Sequence, residues 1–270
     1  MPPPRCKPMD SNKDYEMKTL FVSAACSDMA AATIELLREH YRFVLVARDA
    51  DRLNETIARM KWESSVALAL ACDVRSNEMC ASVAAQLADR DLAVDGVVNF
   101  AGALPVRGNF LQLEVDRLLE DFTTRVVGNI NLLRHLSPQL KPGASVVMIN
   151  GILSKMPDAD FLCGSLSTVA LRSLGKAVAR TLASRRIRVN TVNPCAAETK
   201  MKDQVFAALS AQSGVNADAI QTAVESKIPL ERLCAPLDVA KTVKFLISDE
   251  SSFITGASID VDGGYNASLA

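Results

Sequence analysis

Three cysteines are the side chains from which a reactive centre could most directly be built. Cys26, Cys163 and Cys195 each border a short β-rich run, which would bring them to strand ends facing one cleft. A catalytic thiol at Cys163 or Cys195 needs a base to generate the thiolate. The only histidines, His40 and His135, fall within predicted helices, so neither is placed for that work. A zinc site needs about four ligands in tetrahedral geometry. No such set assembles from this sequence, and no metal is expected. Small buried side chains account better for the cysteines. Ser154 and Lys155 are adjacent, but their spacing gives no support for a Ser–Lys couple, and a solvated loop is the simpler expectation.

The elements that would position these groups follow from composition and periodicity. The 270 residues are 49% hydrophobic and 23% charged, ordinary values for a globular domain. Thirty Lys and Arg stand against thirty-one Asp and Glu. That balance argues against a nucleic-acid binder or a polybasic membrane protein. No apolar run approaches the roughly 18 residues that span a bilayer. Seven cysteines, none in CxxC spacing, point to reduced thiols and a cytoplasmic setting. Residues 1–17 are polar and carry Pro2, Pro3, Pro4 and Pro8, with no apolar stretch of a secretory signal. A disordered tail is expected there, with Met1, Met9 or Met17 as the start.

From Lys18 the chain alternates between strand and helix. The β-rich runs are Thr19–Ser23, Arg42–Ala47, Val66–Asp73, Gly96–Asn99, Ser145–Asn150, Arg188–Asn193 and Ser258–Val261. Several are nearly continuous apolar runs, as expected of strands covered on both faces of a parallel sheet. Helix-length segments lie between them, including Met29–His40, Asp49–Met60, Val115–Leu136 and Val169–Ser184. This rhythm predicts an α/β, doubly wound parallel sheet of about seven strands in a single domain over 18–270. Thr199–Ile228 breaks the rhythm and reads as a helical insertion over the cleft. In such sheets the cleft lies at the carboxyl ends of the strands.

The C-terminal residues carry a resemblance. They read Pro229-Leu230-Glu231-Arg232-Leu233, Pro236-Leu237-Asp238-Val239-Ala240, Ile254-Thr255-Gly256 and Val261-Asp262-Gly263-Gly264. Asp73-Val74, Asn99-Phe100-Ala101-Gly102 and Arg188-Val189-Asn190 match in order and at family spacing. Together they resemble the short-chain dehydrogenase/reductase (SDR) family. The resemblance implies a Rossmann-type fold, NAD(P) chemistry and a tetramer. It also implies cofactor-side roles for Arg48 (the 2′-phosphate of NADP), Asp73 and Val74 (adenine), Asn99, Ala101 and Gly102 (the next loop) and Thr199 (the nicotinamide carboxamide). These residues would equally hold strand ends and turns.

The departures from that family are at the chemistry. Its TGxxxGxG stretch is here Ser23-Ala24-Ala25-Cys26-Ser27-Asp28-Met29-Ala30, with Ala24, Asp28 and Ala30 at the three glycine positions. Those glycines serve a tight turn, close approach to the pyrophosphate and helix packing. Asp28 would set a carboxylate where that diphosphate binds. Two like charges about 5 Å apart at an effective dielectric of about 20 repel by roughly 3 kcal/mol, on the order of a hundredfold in affinity. Asp28 would also serve as N-cap of the helix from Met29. Aligned on Lys176-Ala177-Val178-Ala179, the family's Ser, Tyr and Lys positions fall on Gly151, Gly164 and Thr168, and its Asn on Arg125. The only tyrosines are Tyr15, Tyr41 and Tyr265, none near this motif in sequence. Arg125 could hold a carboxylate or phosphate ligand bidentately. The favoured expectation is an internal plug paired with Asp28, Asp158 or Asp160.

The expectation drawn from these substitutions is an SDR-fold subunit without catalysis of its own, a pseudoenzyme. It would be a structural or regulatory partner of an active SDR in a mixed oligomer, with no cofactor or a weakly bound NADP. The alternative is an NAD(P)(H)-dependent oxidoreductase acting on a carbonyl or alcohol. A further alternative is a cofactor-independent cyclase, dehydratase or lyase using the same cleft.

Overall fold

Alternation along the strands divides the molecule into two cores. The computed structural model describes residues 17–103 and 107–269, so the expected tail over residues 1–16 lies outside the described residues. Seven parallel strands, β1 (Lys18–Ser23), β2 (Tyr41–Ala47), β3 (Val66–Ala71), β4 (Val94–Asn99), β5 (Leu140–Ile149), β6 (Arg188–Pro194) and β7 (Ser258–Val261), form one sheet in the order β3-β2-β1-β4-β5-β6-β7. Successive side chains of a strand face opposite sides. Phe21, Val44, Val46, Val97, Val146 and Met148 enter one buried cluster. Leu20, Val22, Phe43, Leu45, Val98 and Val147 enter the other.

Helices cover both faces. Helices α3 (Asn77–Ala88), α5 (Gly128–Leu136) and α6 (Leu162–Leu182) bury Leu87, Leu132, Leu136 and Leu171 against the first cluster. Helices α1 (Asp28–Leu37), α2 (Ala50–Met60) and α9 (Pro236–Ile247) bury Ile34, Leu37, Leu53, Val243 and Leu246 against the second. The N-terminal turns are set by short polar side chains: Ser27 Oγ accepts from the Ala30 N–H, Asp49 from Arg52 and Ser76 from Met79. Asp28 is therefore the first residue of α1, and the expectation that it is the N-cap is corrected: Ser27 caps the helix.

The predicted elements are all present, with shifted ends. The predicted helix over 115–136 is interrupted. Helix α4 (Val115–Phe122) passes through a π-turn at Thr123–Val127 before α5. His40 lies in the turn beyond α1, not within a helix. The segment 199–228 is helical as expected, as α7 (Lys200–Ser213) and α8 (Ala217–Glu225). It packs on a small separate core of Phe206, Ile228 and Leu233.

One close approach needs glycine. A Cβ on Gly128 would stand 2.6 Å from Val74 Cγ2, and Val74 is buried. Gly128→Ala is expected to cost about 1–3 kcal/mol through overpacking. Urea unfolding would show this as a lower midpoint at unchanged slope.

Candidate functional site

The strand order reverses its direction of growth between β1 and β4, which places the cleft at their carboxyl ends. The turn after β1 keeps the path of a glycine-rich turn without its glycine. Ala24 sits at φ +48°, a left-handed conformation costing roughly 1–2 kcal/mol in a residue with a Cβ. Asp28 follows at the start of α1, and its Oδ2 accepts the Lys200 backbone N–H at 2.7 Å.

Most of the other positions expected on the cofactor side are engaged within the chain. Asp73 is gripped by Arg75, whose Nη2 donates to Oδ2 at 2.6 Å and whose Nε lies 3.0 Å from both oxygens. These hydrogen bonds hold the Asp73 carboxyl below the usual carboxylate range. Val74 packs against Gly128. Asn99 accepts from Ser23 Oγ and from the Ala101 N–H, and donates through Nδ2 to Asn129 Oδ1 at 2.6 Å. Asn129 in turn donates to the Arg125 carbonyl at 2.6 Å. That network ties β1, β4 and α5 together. Thr199 caps α7, accepting from the Lys202 N–H at 3.3 Å. Arg48 is exposed beyond β2, close enough to Asp73 to lower its pKa further. Gly102 faces the Arg125 guanidinium.

Gly151, Gly164 and Thr168 are brought together as the sequence register requires. Gly151 lies two residues beyond the end of β5 at Ile149, and a Cβ there would meet Thr168 Cγ2 at 3.6 Å. Gly164 lies in the first turn of α6, and Thr168 one turn later donates to its carbonyl at 2.6 Å. A Cβ on Gly164 would meet Leu153 Cδ1 at 3.2 Å. An aliphatic group thus borders Gly164. Tyr41 is on β2 at the other end of the sheet. Tyr265 packs on the α7–α8 core, where burial raises its pKa and the nearby charges of Asp158 and Cys195 add to the shift.

Arg125 is internally paired, but not with the expected partners. It sits on the π-turn, and its Nε donates to Asp121 Oδ1 at 3.0 Å while Nη2 donates to the Ala103 carbonyl at 2.8 Å. Asp28, Asp158 and Asp160 are engaged elsewhere: Asp28 with the Lys200 N–H, Asp160 with Arg107, and Asp158 Oδ1 with the Asp160 N–H. The expected pairing is corrected to Asp121, which also accepts from Ser167 Oγ. The i,i+4 spacing of Asp121 and Arg125 was the available signal. Ser167 and Asn129 carried no motif that would have singled them out.

The remaining candidates are structural in setting. Ser154 is buried, not in a solvated loop. Lys155 donates to Asp260 Oδ2 at 2.8 Å and to the Ser258 carbonyl at 3.0 Å, tying the loop after β5 to β7. Cys26 and Cys195 follow β1 and β6, whereas Cys163 lies inside α6 and is buried. Burial pushes the Cys163 thiol up and that of Cys195 up to about 11, which disfavours the nucleophilic thiolate. Among the described residues, no group of three His, Cys, Asp or Glu side chains could hold a metal ion, and no helix is long and apolar enough to cross a membrane. A cavity of about 370 Å³ is lined by Asn109, Phe110, Leu111, Ala159 and Leu162. A second, of about 270 Å³, is lined by residues including Cys195, Arg232, Cys234 and Asp262.

A doubly wound sheet in this order, with the motif positions gathered at its carboxyl edge, defines a Rossmann-type protein of the dehydrogenase/reductase class. A family model described as enoyl-(acyl carrier protein) reductase matches residues 24–266, and the chain belongs to that family, within the short-chain dehydrogenases/reductases. It is 28% identical over 251 residues to tropinone reductase-like 3 of Erythroxylum coca, covering 93% of each chain. It is also 28% identical over 257 residues to cis-4-hydroxycyclohexanecarboxylate dehydrogenase of Sinomonas cyclohexanicum, covering 94% of this chain and 98% of that one. Among solved structures, a variant actinorhodin polyketide ketoreductase with NADPH superposes with a TM-score of 0.85 at 24% identity, over 93% and 97% of the two chains. These relatives are SDR oxidoreductases.

Proposed function

We propose that this chain is an SDR-fold subunit that does not itself carry out hydride transfer, and that it serves as a structural or regulatory partner of an active relative. The observation that carries the reading is the arrangement at Gly151, Gly164 and Thr168. The two glycines have no side-chain group to pass a proton, the Thr168 hydroxyl is committed to the Gly164 carbonyl, and a Cβ on Gly164 would meet Leu153. General acid–base assistance contributes roughly 10²–10⁴ in rate, and this arrangement forgoes it. The diphosphate end of the cleft supports the same reading. The Asp28 carboxylate is committed to the Lys200 N–H, and a carboxylate there does not fit an incoming diphosphate. No cofactor, or only weakly held NADP, is the corresponding proposal.

An assembly role is supported by the surface of α4 and α6. Val115, Leu119, Leu166 and Val169 are exposed there, beside Phe110 and Leu111. The exposed charges of α4 are Asp116, Arg117 and Glu120, with Arg117 Nη1 3.2 Å from Glu120, and those of α6 include Lys176 and Arg180.

The second reading is an NAD(P)(H)-dependent oxidoreductase acting on a carbonyl or alcohol. Its specific support is the family itself, because a reductase model and both named relatives match across nearly the whole chain. Two measurements separate the readings. Native mass spectrometry of the complex isolated from its host is expected to show a mixed oligomer with a second SDR chain that retains the family's Tyr and Lys. The purified chain is expected to bind NADPH at least a hundredfold more weakly than an active relative. A homo-oligomer carrying NADP, or micromolar NADPH binding with turnover, would instead establish the oxidoreductase.

A further inference from the structure

The Asp28 carboxylate stands between the first turns of two helices. It belongs to the first turn of α1 and accepts the N–H of Lys200, the first residue of α7, 172 positions away. Among the described residues, this is the one hydrogen bond joining segment 199–228 to residues 24–30. A helix N-terminus presents unpaired N–H groups and the positive end of its dipole. An anion set between two such ends is favoured by both, and a bound diphosphate oxygen would be held by the same interactions. Here the anion is part of the chain.

The segment it reaches is lightly anchored. Helix α7 buries only Phe206, and α8 buries no residue. Its base is tied by Glu198 N–H to the Cys234 carbonyl and Cys234 N–H to the Ala196 carbonyl. Segments with few buried apolar contacts open at low free-energy cost, and the charge-assisted hydrogen bond at the first residue of α7, two residues beyond that base, fixes how the segment leaves it.

We propose that Asp28 is an internal substitute for a ligand phosphate. Its carboxylate latches α7–α8 across the cleft, and latching and nucleotide-diphosphate binding exclude one another. The proposal deepens the reading of weak NADP binding above and rests on it for the location of the cleft.

The test uses the full chain and three variants. Asp28→Gly removes charge and latch together. Asp28→Asn removes the charge and keeps an acceptor oxygen. Lys200→Pro removes the donor from the other side, since proline suits the first position of a helix and the extended Thr199 before it (φ −138°, ψ 158°) tolerates that neighbour. Amide hydrogen exchange across 200–225 is expected to accelerate at least fivefold in Asp28→Gly and in Lys200→Pro, and to change less than twofold in Asp28→Asn. NADPH, measured by calorimetry, is expected to bind Asp28→Gly at least tenfold more tightly than wild type, with Asp28→Asn between them. Unchanged exchange in both Asp28→Gly and Lys200→Pro would overturn the latch. Equal NADPH affinity of Asp28→Gly and Asp28→Asn would also overturn it, because charge alone would then explain the weak binding. NADPH turnover by the wild-type chain would sink the non-catalytic reading while leaving the exchange result to judge the latch.

Discussion

Arg125→Ala is expected to cost about 3–5 kcal/mol of folding stability, the usual scale for removing one member of a buried ion pair. Both partners are within the core, with Arg125 9% and Asp121 7% exposed. In wild type the Asp121 carboxylate accepts from Arg125 Nε and from Ser167 Oγ, and the Ala103 carbonyl accepts from Arg125 Nη2. Truncating the arginine leaves the carboxylate with only the Ser167 hydroxyl and leaves the carbonyl without its donor. Removing both charges as Asp121→Ala/Arg125→Ala takes away the uncompensated ion and is expected to cost less than Arg125→Ala alone. A double-mutant cycle from urea unfolding should therefore give a coupling of at least about 1.5 kcal/mol, the middle of the range for residues in direct contact. Additive costs would mean that the pair does not act as an internal plug. The argument depends on desolvation: the same two side chains at the surface would contribute at most about 1 kcal/mol.

The sheet was legible in the sequence because buried parallel strands write themselves as apolar runs. Phe43-Val44-Leu45-Val46 and Val146-Val147-Met148-Ile149 feed both cores at once, so neither face could be polar. The positions of Gly151, Gly164 and Thr168 were legible for a different reason. They are counted by spacing within one strand–loop–helix unit, and a Cβ on Gly151 would meet Thr168 Cγ2 at 3.6 Å. The π-turn at 123–127 was not legible, since its residues suit an ordinary helix and only the packing of Gly128 against Val74 and the Asn129–Arg125 hydrogen bond mark the place. Partners distant in sequence were the other blind spot. Asp28 was readable as a charge at a helix start, but nothing local indicates that its acceptor oxygen meets Lys200. Arg125 was readable as a buried cation, yet the choice among nearby carboxylates belongs to the tertiary structure.

Restoring the family's side chains together, as Gly151→Ser, Gly164→Tyr and Thr168→Lys, is expected to give no NADPH-dependent carbonyl reduction above the wild-type background. Two independent obstacles stand in the way. The first is at the proton-transfer site itself. A side chain at 164 begins 3.2 Å from Leu153 Cδ1, and overpacking of this kind costs about 1–3 kcal/mol. Thr168 is only 2% exposed, so a lysine there brings a charge into a buried site, and Asp121, bonded to the adjacent Ser167, is already held by Arg125. The second obstacle is at the other end of the cleft, where Asp28 remains on α1 and on Lys200. If its repulsion of a diphosphate is worth roughly 3 kcal/mol, the restored site would see little cofactor at micromolar concentrations even if the tyrosine were correctly placed. The obstacles should therefore yield only in combination. Adding Leu153→Ala to relieve the first and Asp28→Gly to relieve the second is expected to raise kcat/KM for a simple ketone by at least 10²-fold over the triple variant, with Asp28→Gly acting mainly on the KM for NADPH. Initial rates of NADPH oxidation for the triple, each quadruple and the quintuple variant measure this. Robust turnover by the triple variant alone would mean that the nucleotide end of the cleft is intact despite Asp28, and would move this chain to the oxidoreductase reading.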